Sequence, residues 1–138
     1  MSFPTDCLCY RSHHSTVVGV PLWAHRHQRL TEAVIAQRYE FGGGEAEEDG
    51  SVTIVELPVE KSGECHAIAL WVDVALDEAG DEVEHGSPDS VRPYQRQGLR
   101  FLEKPRTLDS AHGGESGGLR VIVRRAGGGT RLELEVLE

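Results

Sequence analysis

SGECHAIALWVDV, Ser62 to Val74, decides how the chain is read. Ile68, Leu70, Val72 and Val74 recur at every second position, and Cys65, Ala67, Ala69 and Trp71 recur on the alternate positions. Extended backbone throws successive side chains to opposite sides, so these rows are two apolar faces of one strand. A strand apolar on both faces is predicted for the middle of a barrel or sandwich wall, with Ala67 and Ala69 leaving room for a close neighbour. The alternation also decides the chemistry of Cys65 beside His66. Adjacent strand residues point apart, so thiol and imidazole cannot form a nucleophile and base pair. Cys65 reads as a small buried hydrophobe, and His66 as a hydrogen-bonded histidine of the wall.

Strand periodicity continues on both sides of this stretch. Val52 to Val59 puts Thr53, Val55, Leu57 and Val59 on one face, and Pro58 predicts an edge position or a bulge because it has no N–H to give to a ladder. Gln97 to Glu103 is a further predicted strand with Leu99 and Phe101 inward, ended by Pro105. At the C-terminus Leu119, Val121 and Val123 alternate with Arg120, Ile122 and Arg124, and Leu132, Leu134 and Val136 alternate with Arg131, Glu133 and Glu135. The glycines Gly127, Gly128 and Gly129 between them predict a hairpin. The register taken for it pairs Val123 with Leu132, Val121 with Leu134, Arg120 with Glu135 and, less favourably, Arg124 with Arg131. Leu30 to Phe41 suits either a helix or a strand, and the reading adopted is a short turn at Leu30 to Ala33 leading into a strand. Gly42 to Gly50, Asp77 to Asp89 and Asp109 to Gly118 read as flexible loops. The sum is an all-β fold: a barrel or sandwich of seven to ten short, mostly antiparallel strands ending in a C-terminal hairpin.

Composition limits the functions such a fold can carry. The 138 residues suit one domain that buries roughly two thirds of its unfolded surface. Fourteen Lys and Arg against 23 Asp and Glu leave a formal charge of −9, which repels a phosphate backbone and argues against nucleic acid. A basic polypeptide is the compatible partner, although the runs Glu45 to Asp49 and Asp77 to Glu84 also read as solvated loops. There is no run of the length a membrane-spanning helix needs and no secretory pattern at the N-terminus. Three cysteines, an odd number, suit reduced thiols, so the expectation is a soluble chain of the cytoplasm or nucleus.

No catalytic centre is visible in the residues. Cys7, Cys9, His13 and His14, with His25 and His27 further on, are zinc-capable side chains, but Cys-x-Cys before His-His is not a finger or ribbon spacing. The reading adopted is therefore no metal and a loosely ordered N-terminal segment over residues 1–20. Gly42-Gly43-Gly44 precedes acids, without the Lys and Ser or Thr of a phosphate loop. Asp73 and Glu56 have no partner at a recognisable spacing, and no nucleophile elbow is present.

The order of three segments carries a resemblance. PLWAHRHQRLTEAVIAQRYEF (21–41), VELPVEKSGECHAIALWVDVAL (55–76) and RPYQRQGLRFLEKPRTL (92–108), followed by the terminal hairpin, are similar to the C-terminal β-barrel of protein arginine methyltransferases. The likeness runs from Pro21 to Glu138 and is closest to the tandem, monomethylating type III branch. Its wall pattern Gly-x-x-His-small-x-x-x-Trp falls on Gly63, His66, Ala67 and Trp71, and its Lys/Arg-Gln strand on Arg96, Gln97 and Leu102. The resemblance implies that residues 21–138 form the barrel, with His66, Trp71 and Gln97 in its wall, and that Tyr94, Gln95 and Arg96 end a substrate-binding loop. It further implies a methyltransferase core domain as partner, in cis or in trans, and basic Arg/Gly-rich proteins as substrates. S-adenosylmethionine and the catalytic glutamates belong to that core in the parent enzyme, so this chain is expected to bind no cofactor and not to act alone. Pro93, Tyr94 and Gln95 stand where active members carry Thr-His-Trp; tyrosine donates a hydrogen bond but cannot become a cation, which suits a non-catalytic second module. The alternative is a free-standing β-domain interaction module without enzyme activity.

Two further expectations concern burial. Trp71 is placed in the interior, where truncation to alanine would cost on the order of 3 to 5 kcal/mol. Exposed apolar surface for a neighbouring domain is expected around Leu22 and Trp23.

Overall fold

The computed structural model describes residues 17–39, 50–89, 96–112, 118–126 and 131–137. Cys7, Cys9, His13, His14, Gly42 to Asp49, Pro93, Tyr94, Gln95 and the hairpin glycines 127–129 lie outside the described residues. The fold is all-β. In chain order the strands are β1 (Val18–Val20), β2 (Val52–Leu57), β3 (Gly63–Leu70), β4 (Val74–Ala75), β5 (Val83–Glu84), β6 (Gln97–Leu108), β7 (Leu119–Ala126) and β8 (Arg131–Val136). Single 3-10 turns occupy Leu22–Ala24 and Ser110–His112. The strands form three small antiparallel sheets, ordered β1-β6-β3, β2-β7-β8 and β4-β5, and no sheet closes into a barrel among the described residues. No helix among them is long and apolar enough to cross a membrane.

The chain divides into two compact units, one of Met1–Gln28 with His66–Pro105, the other of Arg29–Cys65 with Arg106–Glu138. In the first unit β6 is the central strand of its sheet. β1 lies antiparallel to it, with Val18 opposite Leu99 and Val20 opposite Gln97. Pairing thus begins at Val18, three residues ahead of Pro21. Leu22, Leu99 and Phe101 are buried as one cluster, and Val20, Ala67 and Ala69 pack against it, so the small residues of β3 do receive a close neighbour. Gly98 is needed here: a Cβ on it would stand 2.7 Å from Cγ1 of Val17.

β3 differs from expectation in place and length. It is an edge strand of its sheet, and it stops at Leu70. Trp71 is only half-buried, Val72 is 72% exposed, and Val74 belongs to the separate β4. After Leu70 the chain leaves the sheet over Trp71 to Asp73, and Asp73 takes a hydrogen bond from a distant backbone amide (below). β6, conversely, runs through Pro105 to Leu108. β1 flanks β6 only over Gln97 to Leu99, so an edge is left open further along, and an open edge is where a strand tolerates a residue without an N–H. The loop expected over Asp77 to Asp89 contains a short hairpin: Val74 faces Glu84 and Ala75 faces Val83. Its reversal is held by Glu82 N donating to Asp77 Oδ1 at 3.1 Å, and Gly80 supplies the positive φ of 72°.

In the second unit β7 is central. Val55 of β2, Leu119, Val121 and Val123 of β7 and Leu134 of β8 are buried. β2 is an edge strand with Pro58 directly after it, as its proline implied. The C-terminal hairpin forms with the predicted faces but in a register moved by two residues: Val123 faces Leu134, Val121 faces Val136 and Arg124 faces Glu133. A shift of two keeps every apolar side chain on its face, and it replaces the Arg124 and Arg131 juxtaposition with opposite charges. Arg124 Nη2 also lies 3.6 Å from Glu135 Oε2, an exposed pair that adds little stability. The segment expected as a strand after Ala33 has no regular structure up to Tyr39; only Thr31 forms an isolated bridge, to Val59.

The half-exposed state of Trp71 lowers the cost of removing it. Trp71→Ala is expected to destabilise by about 2 kcal/mol, below the range of fully buried tryptophan, whereas Val123→Ala in the β7 core should cost a similar amount despite the far smaller side chain. Urea midpoints of the two variants, expected to fall by similar amounts, check this.

Candidate functional site

The first residue of β6 organises the end of the first unit. Gln97 is 1% exposed, and its amide is used at both atoms. Its Oε1 accepts a hydrogen bond from Leu22 N at 3.0 Å, and its Nε2 donates to Gly86 O at 2.9 Å. A neutral amide offers a donor and an acceptor together without a charge, which is why glutamine suits the position. A buried backbone N–H and a buried or half-buried C=O that lie outside sheet ladders are satisfied at once.

Gly86 is held from its other side too. Its N–H donates to Asp73 Oδ1 at 3.0 Å, while Asp73 Oδ2 lies 3.4 Å from His85 Nδ1. A Cβ on Gly86 would stand 2.4 Å from Val72 O, so only glycine lets this turn approach the backbone after β3. Gln97, Gly86 and Asp73 therefore tie together three segments of the first unit: the turn after β1, the turn after β3, and the chain between β5 and β6. Arg96, the residue before the clamp, is exposed, with its Cδ 3.8 Å from where a Cβ on Gly19 would be.

The sequence-predicted residues fall out as follows. Gln97 is a buried wall residue of β6, His66 lies half-buried on β3, and Trp71 lies half-buried just beyond it. Cys65 is buried on β3 next to His66 in sequence, on the opposite strand face, as the alternation required. Of the three loop residues, Arg96 alone is described; Tyr94 and Gln95 lie outside the described residues. Leu22 is not exposed, contrary to expectation: it is 3% exposed, packed with Leu99 and Phe101 while its amide is bound by Gln97. Trp23 beside it is half-buried. In this unit the exposed large apolar residues are Val17, Val72 and Leu76. His25 and His27 are exposed, and His27 Nδ1 lies 2.8 Å from His25 O. Among the described residues no group of three or more His, Cys, Asp and Glu side chains is placed to hold a metal ion.

Sequence reasoning passed over Gly86 and the Asp73–His85 pair. Asp73 and His85 are twelve positions apart and meet only through two turns, so no local spacing announces them. The one available signal was His85-Gly86-Ser87-Pro88, a turn-forming run shortly before β6.

With this geometry in place, comparison with known proteins gives a likeness. The chain is similar in sequence to protein arginine N-methyltransferases. It is 31% identical to protein arginine N-methyltransferase 7 of Drosophila persimilis over 107 residues, 68% of this chain. It is 41% identical to protein arginine N-methyltransferase 1.6 of Arabidopsis thaliana over 54 residues, 39% of this chain. These matches cover 15% and 7% of the two relatives, so the chain corresponds to a small part of each. No family model and no solved structure matches it.

Two substitutions probe the clamp. Gln97→Leu leaves both Leu22 N and Gly86 O without their partner, and it is expected to destabilise by roughly 2 to 4 kcal/mol, the usual penalty for two such groups. Gly86→Ala should lower the urea midpoint more than Gly80→Ala: the first meets Val72 O, the second strains φ in open space. Denaturation curves of all three, read at equal slope, measure the difference.

Proposed function

We propose that this chain is the non-catalytic β-portion of a protein arginine methyltransferase, scaffolding or lining the groove that receives the acceptor peptide. The parent reaction moves a methyl group from S-adenosylmethionine to a protein arginine, and the donor and the catalytic carboxylates are held by a methyltransferase core outside these residues. The observation that carries the reading is the 31% identity over 107 residues to a protein of that name. It agrees with the pattern of Gly63, His66, Ala67 and Trp71 followed by Arg96 and Gln97.

Tyr94, Gln95 and Arg96 are the proposed substrate contacts, and the clamp at Gln97 anchors the chain directly after them. Residues 21–138 are the proposed barrel region. The guanidinium of Arg96 does not attract a basic peptide, so attraction is assigned to carboxylates, of which the hairpin carries Asp77, Glu78, Asp81 and Glu82 exposed. Tyr94 contributes a phenol that both donates and accepts, and Gln95 an amide that reads backbone groups of an extended peptide. The proposed setting is the cytoplasm or nucleus, with an Arg/Gly-rich protein as substrate.

Reconstitution tests this. A methyltransferase core is assayed on an Arg/Gly-rich peptide with S-adenosylmethionine, with and without these 138 residues, fused or added in trans. The chain should raise methylation, and Tyr94→Ala should raise KM for peptide with little change in kcat, the mark of lost uniform binding. Methylation indifferent to the chain would instead favour a free-standing interaction module.

A further inference from the structure

The edge of β2 away from β7 is unfinished, and the page shows what would finish it. Thr31 bridges Val59, Glu32 N donates to Pro58 O at 3.0 Å, and Glu60 N donates to Leu30 O at 2.8 Å. These are the first rungs of an antiparallel ladder on the open side of β2. Beyond Glu32 the ladder stops, although the chain as far as Tyr39 is described. Pro58 leaves one rung short. Glu32 and Pro58 sit opposite each other and should exchange two bonds, but proline has no N–H to return one to Glu32 O.

The far end of the gap is also pinned. Following the register from the Thr31 and Val59 bridge brings Tyr39 opposite Ser51. Ser51 O accepts from Arg125 N at 3.1 Å, and the Tyr39 ring lies 4.5 Å from the guanidinium carbon of buried Arg125. The Tyr39 contact is consistent with the same register. The backbone directions agree as well. Ser51 turns its carbonyl toward β7, so the alternate residues Val52, Ile54 and Glu56 turn theirs toward the open edge, in step with Pro58 and Glu60.

We propose that residues 33–38 are a latent strand, a strap poised to close on β2, held open by Pro58. Closed, it pairs Val34 with Glu56, Ala36 with Ile54 and Arg38 with Val52. Ile35, 64% exposed, turns to the face that carries buried Val55, so apolar area leaves water as the bonds form. Open, the edge of β2 with its exposed Val52 and Ile54 is available to an added strand; closed, it is capped. The strap is a gate on edge pairing, and it stands whether or not the methyltransferase reading does.

Hydrogen exchange of the 138-residue chain, read amide by amide, tests it. Pro58 is exposed, so Pro58→Thr restores the missing donor without disturbing a core. In that variant the amides of Val34, Ala36, Arg38, Ile54 and Glu56 should exchange about tenfold more slowly or better, while Ile35, whose amide faces away, stays fast. Adding Ala36→Pro should return the rates to those of the parent. Unchanged rates, or slowing without the alternation, in a chain whose Val121 and Val123 amides remain protected would overturn the proposal. A second measurement keeps Pro58: Gln37→Cys with Thr53→Cys, directly opposite in the closed register, should form a disulfide on mild oxidation, mapped by mass spectrometry, faster than Ile35→Cys with Thr53→Cys. Equal yields from the two pairs would overturn it as well.

Discussion

One buried amide, that of Gln97, holds the first unit in its shape. Short strands leave many backbone groups beyond the ends of their ladders, and each such group must find a partner or pay the cost of desolvation. Gln97 meets this need for Leu22 N and Gly86 O together, and in doing so fixes the turn after β1 and the chain before β6 to the same point. The apolar cluster of Leu22, Leu99 and Phe101 depends on it, because Leu22 is placed by that bond as much as by its own burial. Gly86 and Asp73 extend the arrangement toward the exposed hairpin β4 and β5.

The second unit is built on a different constraint, the twofold alternation of a three-stranded antiparallel sheet. β7 is paired on both sides, and its inward row Leu119, Val121 and Val123 is continued by Arg125. A guanidinium in an apolar row is acceptable here because Tyr39 lays its ring against it, a favourable contact for a weakly hydrated planar cation. The outward face mixes Val52 and Ile54 with Arg and Glu side chains, and the free edge of β2 is interrupted by a single proline. The edge is therefore guarded rather than sealed.

The relation to arginine methyltransferases gives these features a setting. A substrate loop gains affinity when the chain leaving it is already immobile, since less freedom is lost on binding. The chain leaves residues 94–96 directly into the Gln97 clamp, on the central strand of the first sheet. Acidic side chains, Asp77, Glu78, Asp81 and Glu82, are exposed on a hairpin that follows Asp73 of the same network. The matched regions cover only a small part of each relative.

The sequence by itself determined the all-β character, the strands at β2, β3, β6, β7 and β8 and the separation of Cys65 from His66, because alternation is a local property of the chain, and Pro58 narrowed β2 to an edge position or a bulge. It also carried the family likeness in Gly63, His66, Trp71 and Gln97. Tertiary structure decided the rest: that Trp71 and Val72 leave the sheet, that Leu22 is core, that the hairpin pairs two residues away from the register expected, and that Gln97 bonds Leu22 and Gly86. These depend on which backbone groups are left unpaired where strands end. A side chain 75 positions from the amide it satisfies has no local signature; it is selected only when the folded chain brings both to one place away from water.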